Sequence, residues 1–232
     1  MLCIETTGDI CSVCLHIDGK MIALKQANKA NTHATHLTLL IEQLFAGTSH
    51  TLPSIEAVVL SSGPGSYTGM RIGASVAKGL CYALDKPLIA VNTLEALAGC
   101  ARSLYTQNQS PPLLPPLYIP MSDARRMEAY LGIYDEHLNC QVAVAPFILQ
   151  SNSFAQYKKD HLLVFCGSAV PKAMQILGND EQYVFLDPQV CTVSASNLYT
   201  IAQQKSKDEQ YENLANFEPN YLKIMGKPIG NE

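Results

Sequence analysis

The sequence predicts a duplicated α/β fold, and three observations carry that prediction. Apolar runs of strand length alternate with longer stretches of helical period. A series of three antiparallel strands followed by β-α units occurs twice. Between the two series lies QNQSPPLLPP (107–116), a polar, proline-rich run with the composition of a linker. The expected halves are therefore residues 1–106 and 107–232, with the last helix and tail able to pack back on the first half. A cleft between two such halves is where ligands bind.

The elements follow in order. LCIET (2–6) is a short apolar strand with a polar end, and CSVCLHID (11–18) alternates as a second strand. Asp18-Gly19 predicts a hairpin turn into MIALKQA (21–27). Asn31-Thr32 is placed to cap a helix that ends at Gly47, and IEAVVL (55–60) is a buried strand. A glycine-rich loop leads into a helix that ends near Leu84; a strand over Pro87–Val91 and a helix from Thr93 to about Tyr105 complete the half. The second half repeats the order. LYIPM (117–121), EAYLGIYD (128–135) and CQVAVAPFIL (140–149) are its three strands. LLVFC (162–166), a helix from about Ala169, YVFL (183–186) and a helix capped by Ser194 follow.

Composition excludes several classes. The formal net charge is -4, so the chain alone is a poor ligand for nucleic acid. No apolar run reaches the roughly 18 residues of a membrane span, and no signal peptide opens the sequence. A soluble cytoplasmic protein is expected. The eight cysteines stand mostly among apolar neighbours, as buried thiols of a reducing compartment do. Cys11 and Cys14 form a CxxC pair, but within a strand they point to opposite faces and make a poor metal grip.

The loop SSGPGSYTGMRIG (61–73) meets none of the familiar phosphate or nucleophile spacings. It has no lysine after Gly69, has Thr68 where a dinucleotide fingerprint wants glycine, and has Ser66 directly after Gly65. A tight turn into a helix is the simpler reading, with weak anion binding at the helix start as the alternative. Along that helix Arg71, Ser75, Lys78, Tyr82 and Asp85 share one polar arc. Ile72, Val76, Leu80 and Ala83 are expected to lie on the sheet. Gly73, Ala74, Ala77 and Cys81 then form a strip of small residues open to a second helix. That helix is either the neighbour at 33–46 or one from another chain.

SSGPGSYTGMRIGASVAKGLCYALDKPLIAVNTLEALA (61–98) closely resembles the signature of the TsaB family, also called YeaZ. CIETT (3–7), DARRMEAYLGIY (123–134) and EPNYLK (218–223) match as well. The resemblance implies the actin-like ATPase fold of two RNase H-like subdomains. It implies a non-catalytic subunit in making threonylcarbamoyladenosine beside the anticodon of tRNAs that read codons starting with A. The catalytic paralogue, TsaD, would carry the metal, and a TsaE-type ATPase would bind the pair. ATP, ADP and metal would belong to those partners, tRNA would be met only through the complex, and a homodimer would form through the first two helices. The implied partner face holds His33, His36, Leu39, Leu40, Gly69, Met70, Gly73, Ala74, Ala77 and Cys81. Candidate anion or nucleotide contacts are Glu5, Thr6, Thr7, Gly63, Gly65, Ser66, Asp123, Arg125 and Arg126.

The catalytic paralogue resembles this chain near VNTLEAL (91–97), where it has a His-x-x-x-His pair. Here those positions are Thr93 and Leu97, and an alkyl group cannot coordinate metal. No catalytic or metal-binding residue is therefore expected. Two enzyme classes are the alternatives, a metal-dependent glycoprotease-type peptidase and a phosphotransferase of the actin-like fold. The first lacks its ligand pair and the second lacks a clear catalytic aspartate. A plain RNA-binding module is opposed by the acidity and by the absence of tryptophan.

Overall fold

A computed structural model describes residues 1–27, 32–108 and 113–222. Asn31 as a helix cap, residues 109–112 of the linker and Lys223 lie outside the described residues. The elements are β1 (Leu2–Glu5), β2 (Ser12–Ile17), β3 (Lys20–Gln26), α1 (His33–Ala46), β4 (Val58–Ser61), α2 (Tyr67–Leu84), β5 (Leu88–Val91) and α3 (Thr93–Asn108). Then come β6 (Pro116–Asp123), β7 (Glu128–Tyr134), β8 (Cys140–Ile148), β9 (Leu162–Cys166), α4 (Val170–Leu177), β10 (Tyr183–Phe185) and α5 (Tyr199–Lys207). Each expected strand and helix is present, but Ser194 caps a 3-10 turn (Ala195–Asn197) ahead of α5, whose own cap position is Leu198, and Thr32 makes no side-chain cap bond to α1. No helix among the described residues is long and apolar enough to cross a membrane.

Two sheets of five strands result, ordered β3-β2-β1-β4-β5 and β10-β9-β6-β7-β8. Read from opposite ends they are the same plan: an antiparallel meander whose first strand continues into two parallel strands. This is the duplicated, actin-like α/β architecture that the sequence predicts. Asp18 and Gly19 take φ of 47° and 81°, the backbone that a two-residue hairpin demands.

The chain divides into two compact units. One is Met1–Thr93 with Val193–Asn220; the other is Leu94–Thr192 with Tyr221 and Leu222. The border thus falls before the body of α3, ahead of the 106/107 border taken from composition. The reason is packing. Tyr105 of α3 meets Tyr118 of the second sheet edge to face at 6.4 Å, and the Arg102 guanidinium donates to the Glu136 carbonyl. Composition marks where the linker lies, but side-chain burial decides which sheet a helix joins. By the same logic α5 belongs to the first unit, where Tyr199 stacks on His16 at 4.3 Å.

In the first unit α1 and α2 cover one face of the sheet. Leu2, Ile4, Val13, Leu15, Leu60 and Leu88 form the core with Leu37, Leu40, Ile41 and Leu44 of α1. Cys11 joins this core, while Cys14 faces Cys3 across the ladder and lies 3.5 Å from His16 Nδ1. The two cysteines of the CxxC pair therefore point apart, as residues three apart on extended backbone must. In the second unit α4 packs over Leu131, Phe165 and Phe154, and Phe165 stacks against Phe185 at 5.0 Å.

The orientation of α2 overturns the expectation for its two apolar faces. Gly69, Met70, Gly73, Ala74, Ala77 and Cys81 are the buried side, pressed on this chain's own sheet. Ile72, Val76 and Leu80 are only half-buried, at the margin of the core. The small strip is thus not open to a partner, and neither is Leu40, which is buried in α1. Small residues win the sheet because the sheet already supplies Ile4, Leu60 and Leu88, and a helix of bulky residues would stand too far off to fill the gap. A Cβ on Gly73 would overlap Thr6 Oγ1 and stand 3.1 Å from Leu60 Cδ1. Gly73→Leu is therefore expected to destabilise the fold itself by about 3 kcal/mol or more. Urea unfolding of the purified variant checks this, and an unchanged midpoint would remove the close-packing account.

Candidate functional site

The C-terminal ends of β1 and β4 and the start of α3 meet in a small buried polar junction. β1 ends at Glu5, which is 1% exposed, and the chain turns sharply through Thr6 and Thr7, also buried. The Thr7 amide and hydroxyl both donate to Glu5 Oε1, the hydroxyl at 2.6 Å. Thr93 closes the junction. Its hydroxyl donates to Thr7 Oγ1 at 3.2 Å, accepts the Gly63 amide at 3.1 Å and lies 2.7 Å from Ser61 Oγ. The Thr93 amide in turn donates to the Gly63 carbonyl at 3.0 Å. One threonine side chain thus joins the β1 turn, the end of β4 and the glycine loop.

The glycine loop is a brace for this junction. Gly63 has φ of 103°, and the Gly63–Pro64 peptide is cis. The Ser66 amide donates to the Thr7 carbonyl at 2.8 Å, and Ser66 Oγ accepts the Gly69 amide at 3.2 Å as the cap of α2. A Cβ on Gly65 would lie 2.6 Å from Thr7 Cβ, so the backbones of loop and turn are in direct contact there. The amides of Gly63, Ser66 and Gly69 are consumed inside the protein. The loop thus has the bonds of a tight turn, with three of its amides satisfied from within the chain.

Glu5 carries the main electrostatic consequence. Burial pushes its carboxyl pKa above the usual range, against the opposing pull of hydrogen bonds from Ser61 and Thr7. Thr6 Oγ1 is buried beside Gly73 with no hydrogen-bond partner among the described residues. On α1, His33 is buried and its Nε2 lies 3.0 Å from the Gly8 carbonyl. His36 is half-buried with Nδ1 2.8 Å from Thr35 Oγ1, and Leu39 is 49% exposed. Leu97, the second position of the paralogue's pair, is 1% exposed in the core of its own unit.

Asp123, Arg125 and Arg126 belong to the second unit, in the hairpin between β6 and β7. The Asp123 carboxylate accepts the Arg125 amide at 2.8 Å and pairs with Lys172 of α4. Asp123 is thus a structural anchor of the turn, while both arginines are exposed. Sequence reasoning named Thr93 only for what it is not. Its central place in the junction was missed because nothing local marks a threonine whose three partners lie far away in the chain.

Two outcomes follow for the junction. Thr93→Val leaves the Gly63 amide without its side-chain acceptor and is expected to cost about 1–3 kcal/mol in chemical unfolding. For Glu5, the folded pKa stands above the unfolded one, so its contribution is fully present below the unfolded pKa of about 4.3 and is lost as pH rises through the folded value. Glu5→Gln keeps the acceptor oxygen without the charge. Its stability relative to the parent is expected to improve from about pH 4 to pH 7, and a pH-independent difference would refute the buried-charge account.

The sequence matches the family model described as TsaD, tRNA N6-adenosine threonylcarbamoyltransferase, over residues 25–161, more than half of the chain. The tRNA threonylcarbamoyladenosine biosynthesis protein TsaB of Haemophilus influenzae is 29% identical over 57% of this chain and 52% of that protein, so that match spans about half of the relative. The TsaB protein of Escherichia coli K12 is 26% identical over 96% of this chain and 94% of its own length. A crystal structure of a Pseudomonas aeruginosa protein with similarity to peptidase YEAZ superposes with a TM-score of 0.79 at 23% identity, covering 96% of this chain and 98% of that one, which shows the fold. The chain belongs to the TsaD family and is similar over nearly its whole length to a TsaB protein.

Proposed function

We propose that this chain takes part in forming threonylcarbamoyladenosine on tRNA as a non-catalytic subunit that docks a TsaD-type catalytic paralogue. The E. coli and H. influenzae relatives bear the name of that biosynthesis. The observation that carries the non-catalytic role is the junction at Thr93. Where the paralogue has an imidazole, this chain has a hydroxyl bonded to Ser61, Gly63 and Thr7. That hydroxyl serves structure, and the neighbouring position is the buried alkyl group of Leu97.

Docking falls to the outer side of α1 and α2. Half-buried Ile72, Val76 and Leu80 and half-exposed Leu39 are among the apolar groups those helices still offer. Removing them from water would contribute on the order of 25 cal/mol per Å² of apolar surface. The partner face is thereby moved from the small strip to the bulkier side of α2.

The test is genetic and biochemical together. Loss of the gene is expected to abolish the modified nucleoside in digested tRNA, as read by mass spectrometry, and the parent gene to restore it. Leu39→Arg and Val76→Arg are expected to fold with little change yet to lower co-elution with the paralogue at least ten-fold. Retention of the nucleoside in the deletion strain would remove the proposal, and normal co-elution of both variants would remove the docking face.

A further inference from the structure

The hairpin between β6 and β7 is built against its own backbone preference. Arg125 and Arg126 both take positive φ, 69° and 48°. A side chain in that region crowds the carbonyl that follows, which is why glycine, asparagine and aspartate usually stand there. The chain follows that rule at the hairpin between β2 and β3, where Asp18 and Gly19 hold the left-handed positions, though not between β7 and β8, where Leu138 takes φ of 65°. At 125 and 126 it does not, and the surroundings force the conformation. Asp123 Oδ1 accepts the Arg125 amide at 2.8 Å, and the Arg125 carbonyl accepts the Glu128 amide at 3.1 Å. Ser168 Oγ accepts the Asp123 amide at 3.0 Å, and Lys172 Nζ holds both Asp123 and, at 2.9 Å, the Glu128 carbonyl.

The turn therefore presents two adjacent arginines on a rigid base. Both are exposed, and neither guanidinium has a hydrogen bond or ion pair among the described residues. The Asp123 carboxylate of the same turn is matched by Lys172. Met127 beside them is 53% exposed. Two unmatched guanidiniums in sequence fit a ligand with repeated negative charge, and a phosphodiester strand supplies such charges in a row. On a chain of net charge -4 this contact must be confined to one point. We infer that the hairpin is an RNA-contacting element in which Arg125 and Arg126 hold neighbouring phosphates of the tRNA substrate. The inference rests on the tRNA reading above and adds to it a contact surface on this chain.

The probe is a labelled transcript of an unmodified tRNA that reads a codon starting with A, titrated with the full chain co-purified with its catalytic paralogue. Arg125→Gln/Arg126→Gln is expected to weaken binding at least five-fold at low salt. It should also make the plot of log affinity against log salt shallower by about 1.5, the value for two lost phosphates. Lys159→Gln, an exposed lysine elsewhere on the same unit, should leave both unchanged. Arg125→Asn/Arg126→Gly should lose RNA binding to the same extent while its thermal midpoint rises by roughly 2–4 °C, which separates strain relief from misfolding. An unaltered slope in the double glutamine variant overturns the inference. So does loss of the paralogue with RNA binding intact, since the pair would then serve a protein contact. Failure of the parent gene to restore the modified nucleoside strikes the proposed function instead, and is read in a separate assay.

Discussion

The close approach of α2 to the first sheet is the constraint from which the rest of that unit follows. Gly69, Gly73 and Ala77 leave the helix without bulk on its inner side, so its backbone settles directly over Thr6 and Leu60. At such a distance any added carbon atom meets an occupied position. The helix start then presses the glycine loop onto the β1 turn, and Thr7 accepts the Ser66 amide. The bulkier Ile72, Val76 and Leu80 are left at the margin, where they complete the core on one side and meet water on the other. The outward placing of these residues is thus a consequence of how the inner face of α2 is built.

The polar junction under this helix is closed by its own hydrogen bonds. A metal site needs several lone pairs converging on one empty point. Here the donors and acceptors of Glu5, Thr7, Ser61, Gly63 and Thr93 converge on one another. The network is buried, so each bond stands in for the water its groups gave up. It locks together three chain segments that lie far apart in sequence. Burial raises the pKa of the Glu5 carboxyl, and its partners are hydroxyls and amides of the frame.

The second unit repeats the plan with different emphasis. Its sheet is packed by stacked aromatic rings, Phe154, Phe165, Tyr183 and Phe185, where the first unit uses aliphatic side chains. Its tight turn after the first strand carries arginines in place of the threonines found after β1. The duplicated backbone therefore offers two equivalent turns, one folded inward around a carboxyl and one turned outward with its arginines exposed.

The sequence alone determined the element order, the duplication and the relationship to TsaB. Strand alternation, the Asp18-Gly19 hairpin and the long 61–98 signature are local patterns, and local patterns are readable without a fold. The same holds for the opposed cysteines of the CxxC pair, which follow from the period of extended backbone. Only the tertiary structure decided which apolar side of α2 is inner, which unit claims α3, and what Thr93 does. Ile72 and Gly73 are both compatible with a sheet, and the choice depends on the volume already filled by Ile4, Leu60 and Leu88. Thr93 meets partners 86, 32 and 30 residues away. Their meeting is set by how strands β1, β4 and β5 lie side by side, and a linear pattern holds no record of that distance.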